Sequence, residues 1–320
     1  MQYNTYTDGL KTAVFDIETS GLSYQKDMII SASFCDENGD RLRQYFCDDP
    51  ESEYLLITKI LEEFENLDAV ITYNGERFDI PFVFARANKY SIPSKDSGIW
   101  NIDIYRILKK YWKAGELLPS LSQASVEKAL GIRDYRTDRI DGNECIPLYN
   151  RYLAGKDESA KEKILLHNAD DVRQLAKITS NLSFIPFHQV AYDNGYSFKV
   201  KTASESLDDI RFKLGPVYET VDRFTANFKT VKGMLPLSVF EEYFSLEYDS
   251  FSGIGRVVLF PKELEDYIYI DLKEAPVDIS DYEDLDGYAS GYLILKQAGE
   301  IKYKELNRLI KDLASKTVYE

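Results

Sequence analysis

Residues 14–22 read "VFDIETSGL", and the reading of this stretch decides the fold. Val14, Phe15 and Ile17 give it the apolar character of a buried β-strand, yet it carries two acids, Asp16 and Glu18. Residues i and i+2 of a strand point to the same side of the sheet, so the two carboxylates stand together. Two like charges about 4 Å apart repel by roughly 4 kcal/mol at an effective dielectric near 20. A strand that keeps such a pair needs a counter-charge.

Outward from this strand, residues 11–49 read as three strands: "KTAVFDIE", "DMIISASFCDENG" and "RLRQYFCD". Asn38-Gly39 lies between two apolar runs, as in a type I′ hairpin. "SEYLLITKILEEFENL" has apolar residues at helical spacing. A short strand follows, "DAVITYN", then a helix from about Pro81, "PFVFARANKY". "GIWNID" reads as a strand, "IYRILKKYWK" as a helix, and "SLSQASVEKALGI" as a helix stopped by Gly131. A long helix spans about Asp157 to Ser180. An antiparallel meander followed by β-α units predicts an α/β fold, a mixed five-stranded sheet with helices on its faces, over residues 1–185. "NLSFIPFHQ" breaks the pattern and reads as a linker containing a structural His188. Residues 190–320 then read as a smaller β-rich α+β domain, ending in the helix "EIKYKELNRLIKDLASK". Within it, residues 263–286 carry ten acids and one base, Lys273, and read as a solvated acidic loop region.

The 320 residues are 44% hydrophobic and 13% aromatic, ample for globular cores. No run reaches the ~18 apolar residues of a transmembrane helix, and the N-terminus shows neither the basic nor the apolar part of a signal peptide. Cys35, Cys47 and Cys145 form no CxxC pair; reduced thiols and a cytoplasmic location are the expectation. Net charge is −15. From Val190 on there are 16 basic and 24 acidic residues, leaving 23 and 30 before it, so the acidity is spread over both parts. This counts against a broad basic face for nucleic acid. It leaves room for an enzyme that grips a short length of strand and brings its positive charge as bound metal.

Further acids complete a pattern. In "YNGERFDIPF", Asn74 ends an apolar strand and Asp79 lies between Phe78 and Ile80. Alone, Asp79 also reads as a helix cap. In "LLHNADDV", Asp170 and Asp171 lie on the long helix, where Ile164, Leu165, Val172, Leu175 and Ile178 pack inward. Asp103 sits between two isoleucines in "NIDIY" and is assigned a supporting role.

Taken together, "FDIETSGL", "NGERFD" and "HNADD" resemble the DEDD superfamily of 3′–5′ exonucleases, on a ribonuclease H-like fold. The wording "TYNGERFDIPF…IDIYRILKKYW…LPSLSQASVEKALGI…LLHNADDV" is most similar to the YprB-type branch of bacterial ribonuclease H-like proteins. The resemblance covers roughly residues 10 to 180. It implies a metal-dependent 3′–5′ exonuclease acting on a single strand or 3′ end of nucleic acid. It also implies two Mg²⁺ or Mn²⁺ ions held by Asp16, Glu18, Asp79 and Asp171. The chemistry agrees: two divalent ions generate hydroxide and neutralise a scissile phosphate, and such hard cations prefer carboxylate oxygens. One branch of the family keeps a His five residues before the last Asp, another a Tyr four before. Here His167 lies four before Asp171, on the same helix face, and is a candidate general base. Asp171 is preferred to Asp170 because an apolar residue, Val172, follows it, as in both branches. Thr19, Asn74 and Phe78 are candidates to meet a terminal nucleotide. Arg106, Lys109, Lys110 and Lys113 fall at i, i+3, i+4 and i+7 as a candidate phosphate-tracking stripe; a solvated helix face is an equal reading. A non-catalytic binding or adaptor protein on the same fold, or a structure-selective endonuclease, are the competing functions.

Overall fold

The computed structural model describes residues 6–7, 9–93, 99–133, 136–137, 140, 142–201, 209–230, 232 and 234–318. The chain divides into two compact units, Leu10–Ile185 and Met1–Gly9 with Pro186–Glu320.

The unit Leu10–Ile185 is an α/β fold built on a mixed five-stranded sheet of order β3-β2-β1-β4-β5. β1 (Thr12–Thr19) is central, antiparallel to β2 (Ile29–Cys35) and parallel to β4 (Ala69–Thr72). β3 (Arg43–Phe46) and β5 (Trp100–Asp103) form the edges. Strand alternation divides the work of β1. Ala13, Phe15 and Ile17 join the core beneath α1 (Glu53–Glu65) and α2 (Asp79–Lys89). Asp16 and Glu18 sit on the opposite face, in register with Ser33 and Ser31 of β2. That face packs against α6 (Glu158–Ser180), whose first turn is capped by Asp157 accepting from Ser159 N and Ala160 N. Between α2 and α6 lie α3 (Ile104–Tyr111), α4 (Gln123–Ala129) and α5 (Gly142–Gly155). Gly131 stops α4 with φ +70°, where a side chain would be strained.

Several details depart from the sequence reading. The β2–β3 connection is not a type I′ turn, which needs positive φ at both central residues: of the pair Asn38-Gly39 only Gly39 takes one, +83°. Asp36 organises the turn instead, its Oδ1 accepting from Asn38 N at 3.1 Å and Asp40 N at 2.8 Å. α5 has no counterpart in the sequence reading, since Pro147 inside it broke the apparent pattern. α3 ends at Tyr111, so Lys113 lies beyond it in a short 3₁₀ turn.

In the second unit the expected linker is partly helical, as α7 (Phe187–Asn194). An antiparallel six-stranded sheet follows, of order β6-β7-β8-β11-β10-β9. Its strands are β6 (Tyr196–Val200), β7 (Ile210–Glu219), β8 (Phe224–Lys229), β9 (Leu237–Phe240), β10 (Phe244–Asp249) and β11 (Ile254–Leu259). A smaller sheet holds β12 (Lys262–Leu264), β13 (Tyr267–Asp271), β14 (Tyr288–Ala289), β15 (Tyr292–Gln297) and β16 (Glu300–Ile301). "DYIYIDL", which reads as a short strand in the sequence, forms β13 within the acidic stretch 263–286, where Tyr267–Asp271 pairs with β15 and buries Ile270. The helix α8 (Tyr303–Ser315) closes the unit, burying Leu306, Leu309, Ile310 and Leu313.

Candidate active site

The carboxylates of Asp16, Glu18 and Asp171 converge, with one oxygen from each lying within 4.8 Å of the others. Strand period 2 delivers the first two, and α6 delivers the third across the sheet face. Asp171 and Asp170 are adjacent, yet a helix rotates them apart by about a quarter-turn and more. Asp170 is buried away from the cluster, its Oδ2 accepting from the backbone and hydroxyl of Thr137. His167 lies one turn before Asp171, its Nε2 3.4 Å from Asp171 Oδ2 and 3.7 Å from Glu18 Oε1. Asp79 opens α2 and lines the same cavity, of about 370 Å³, with Oδ1 accepting from Ile17 N at 3.2 Å.

Asn74 and Phe78 line this cavity as well. Asn74 has φ +65°, a conformation uncommon for any residue but glycine. Asp103 holds it there: the carboxylate accepts from Asn74 N at 2.9 Å and Glu76 N at 3.1 Å while capping α3. Thr19 follows a register shift in β1 and turns its hydroxyl to Gly21 O at 2.7 Å, outside the cavity lining. Arg106, Lys109, Lys110 and Lys113 are exposed and do not line it. Arg106 pairs with Glu76, and Lys109 and Lys110 lie over the rings of Tyr105 and Tyr111.

Three further groups shape the cluster. Asn168 donates through Nδ2 to Asp16 Oδ2 at 2.7 Å, and its Oδ1 accepts from the hydroxyls of Ser31 and Ser33 at 3.1 and 2.6 Å. Its spacing to Asp171, i to i+3, was the available sequence signal. Arg136 hydrogen-bonds Asp171 Oδ1 and pairs with buried Glu127 at 2.7 Å. Nothing in the sequence around Arg136 has a period that would point to Asp171. Cys145 of α5 lies with Glu18 and His167, its Sγ within 4.8 Å of their polar atoms.

Burial dominates the electrostatics. It raises the Asp16 carboxyl well above the usual carboxylate range, with Asp79, Asp171 and Glu18 adding repulsion and the Asn168 amide opposing. Glu18 is pushed up to about 8 by burial, against the opposing influence of His167. Asp79 rises to about 7 by burial, despite hydrogen bonds from its own N–H and that of Ile17. Removal from water raises a carboxyl pKa, whereas an adjacent cation lowers it. The donor set suits a hard divalent cation, since it is made of closely grouped carboxylate oxygens, of which, among the described residues, only those of Asp171 already meet a guanidinium, that of Arg136.

The fold and the acids on its central strand place the chain in a known class, and it belongs to the RNase_H superfamily, which residues 13–183 match. Among individual relatives, it is 26% identical over 175 residues to the uncharacterized protein YprB of Bacillus subtilis (strain 168), covering 53% of this chain and 41% of that one. It is 37% identical over 93 residues to a DNA polymerase of Methanocaldococcus jannaschii, covering 26% of this chain and 6% of the polymerase. The chain thus spans less than half the length of these relatives. Among solved structures, the family B DNA polymerase from the hyperthermophilic archaeon Pyrobaculum calidifontis aligns with a TM-score of 0.45 at 18% identity, over 54% of this chain and 24% of that one.

Proposed function

We propose that this protein is a divalent-metal-dependent nuclease that removes nucleotides from the 3′ end of a nucleic acid strand. The observation that carries the proposal is the convergence of three carboxyl groups, buried Glu18 and half-buried Asp16 and Asp171, on one face of the central strand. Asp16, Glu18 and Asp171 would hold Mg²⁺ or Mn²⁺, with Asp79 contributing from the same cavity. Bound there, the ions would supply a hydroxide at neutral pH and offset the charge of the scissile phosphate. His167 would accept a proton from the attacking water, a reading its Nε2 supports by lying beside both Glu18 and Asp171. Asn74 and Phe78 would position the terminal nucleotide, Phe78 by stacking or packing. The exposed cations of α3 would contribute, at most, a surface track for the strand. The DEDD resemblance of the three motifs supports the 3′–5′ direction.

A 5′-labelled single strand incubated with Mg²⁺ or Mn²⁺ tests the reading. The wild type should shorten the strand stepwise from its 3′ end, and Asp16→Ala should abolish shortening. Intact strands with both proteins across DNA and RNA substrates would overturn it. Cuts inside a circular substrate would replace the exonuclease reading with an endonuclease one.

A further inference from the structure

The second unit holds a cavity of about 300 Å³ lined by residues of α7, β6 and α8. Lys304, Arg308 and Lys311 reach it from α8 at i, i+4 and i+7, one helix face, and Lys199 joins from β6. Four cations around one cavity do not follow from composition in a region with 24 acids and 16 bases. The acids of α8 are themselves engaged. Asp312 engages Arg308 Nε at 3.0 Å and also accepts from Tyr282 at 2.7 Å. Glu305 is buried and accepts from Gly287 N at 3.0 Å.

Two polar atoms give the cavity a second, independent character. Asn307 is 2% exposed, and its amide orientation is fixed by Nδ2 donating to His188 O at 2.8 Å. Its Oδ1 then has no hydrogen-bond partner among the described residues, and neither does the buried His188 Nδ1. Buried polar atoms in native proteins are nearly always satisfied, so Oδ1 calls for a donor. A bare anion offers only acceptors; a hydroxyl offers the donor. Burial lowers His188 to about 4, so near neutral pH the ring adds hydrogen-bonding capacity and not charge. Phe198 and Leu285 add apolar wall, and Lys311 Nζ lies 5.4 Å from the Phe198 ring centroid.

We propose that this cavity binds a small phosphomonoester carrying hydroxyl groups, the phosphate held by the lysines and arginine and a hydroxyl held by Asn307. The inference stands apart from the nuclease reading, since none of its residues belongs to the unit Leu10–Ile185. Calorimetry on the full chain, with chelator present to keep divalent metal out, tests it. The probes are ribose 5-phosphate, a nucleoside 5′-monophosphate and inorganic phosphate. At least one ester should bind saturably, and more tightly than inorganic phosphate. The double variant Lys304→Ala/Lys311→Ala should lose about tenfold or more in affinity, as expected for charge-assisted hydrogen bonds. Lys304→Arg/Lys311→Arg should retain binding, which separates lost charge from lost structure. No saturable binding of either ester, or equal affinity in the alanine variant, would overturn the site. Ester binding no tighter than that of inorganic phosphate would overturn the part assigned to Asn307.

Discussion

Glu18 converts the like-charge pair on β1 into a measurable cost. Its carboxyl is ordinary, near 4.5, in the unfolded chain and is pushed up to about 8 in the fold by burial. Between these values the folded protein holds a proton that the unfolded chain has released. Folded chains then bind more protons, so this group's contribution makes stability fall as pH rises through that window. A glutamine amide in its place does not titrate. With metal chelated, the stability of Glu18→Gln relative to wild type should therefore grow from about pH 5 to about pH 8 and then level off. Urea denaturation at a series of pH values measures this difference, in which the titration of acids remote from the cluster cancels; a flat difference would refute it. The residues of this site were legible in unequal degrees. Asp16 and Glu18 announce themselves because two charges in an apolar strand conflict locally. Asp79 and Asp171 announce themselves through motif wording. Arg136 and Asn168 meet the acids only once the sheet face and α6 are in place; Asn168 has its i to i+3 spacing to Asp171 as a local signal, and Arg136 has none.

At the scale of elements, the cavity depends on how α2 is held, because Asp79 is its first residue. Arg86 of α2 and Glu53 of α1 form a buried pair, with Arg86 Nε donating to Glu53 Oε1 at 2.7 Å. Glu53 also accepts from Ile29 N at 2.9 Å and from Tyr90 at 2.7 Å. One carboxylate thus ties two helices to β2. Replacing Arg86 alone strands Glu53 as a buried, uncompensated charge, a change that typically costs about 3–5 kcal/mol. Arg86→Met should lower unfolding free energy by roughly that amount. Arg86→Met combined with Glu53→Leu should cost less than Arg86→Met alone, because no charge is then left without its partner. Chemical denaturation of both variants decides; equal losses would show that packing and not charge sets the cost. This clamp was hidden in sequences that read simply as amphipathic helices. Elements with clean periods, such as α1 and α6, were legible from period alone. α5 was not, since Pro147 interrupts its pattern and its stability comes from Tyr149 and Tyr152 packing against Ile30.

For the whole molecule, the net charge of −15 and the raised carboxyls of one cluster point the same way: positive charge should act as a ligand. A ligand that binds only the folded state stabilises it by RT ln(1 + [L]/Kd), about 2.7 kcal/mol at a concentration near 100 times Kd. An acidic chain also attracts divalent ions diffusely, so a shift in melting temperature alone is ambiguous. The two-unit organisation and a substitution remove the ambiguity. The cluster lies wholly within Leu10–Ile185, so Mn²⁺ should raise the midpoint of the transition that melts this unit. Chelator should reverse the shift, and Asp16→Ala should be blind to Mn²⁺ although its net charge differs by only one unit. Asp16→Ala should also melt no lower than wild type without metal by more than the loss of its Asn168 hydrogen bond, roughly 1 kcal/mol, because removing one carboxylate relieves the repulsion among the rest. Scanning calorimetry of both proteins, with and without Mn²⁺, supplies all four curves. Equal Mn²⁺ shifts in the two proteins would mean that the ion is held diffusely, and the carboxylate cluster would lose its claim to it.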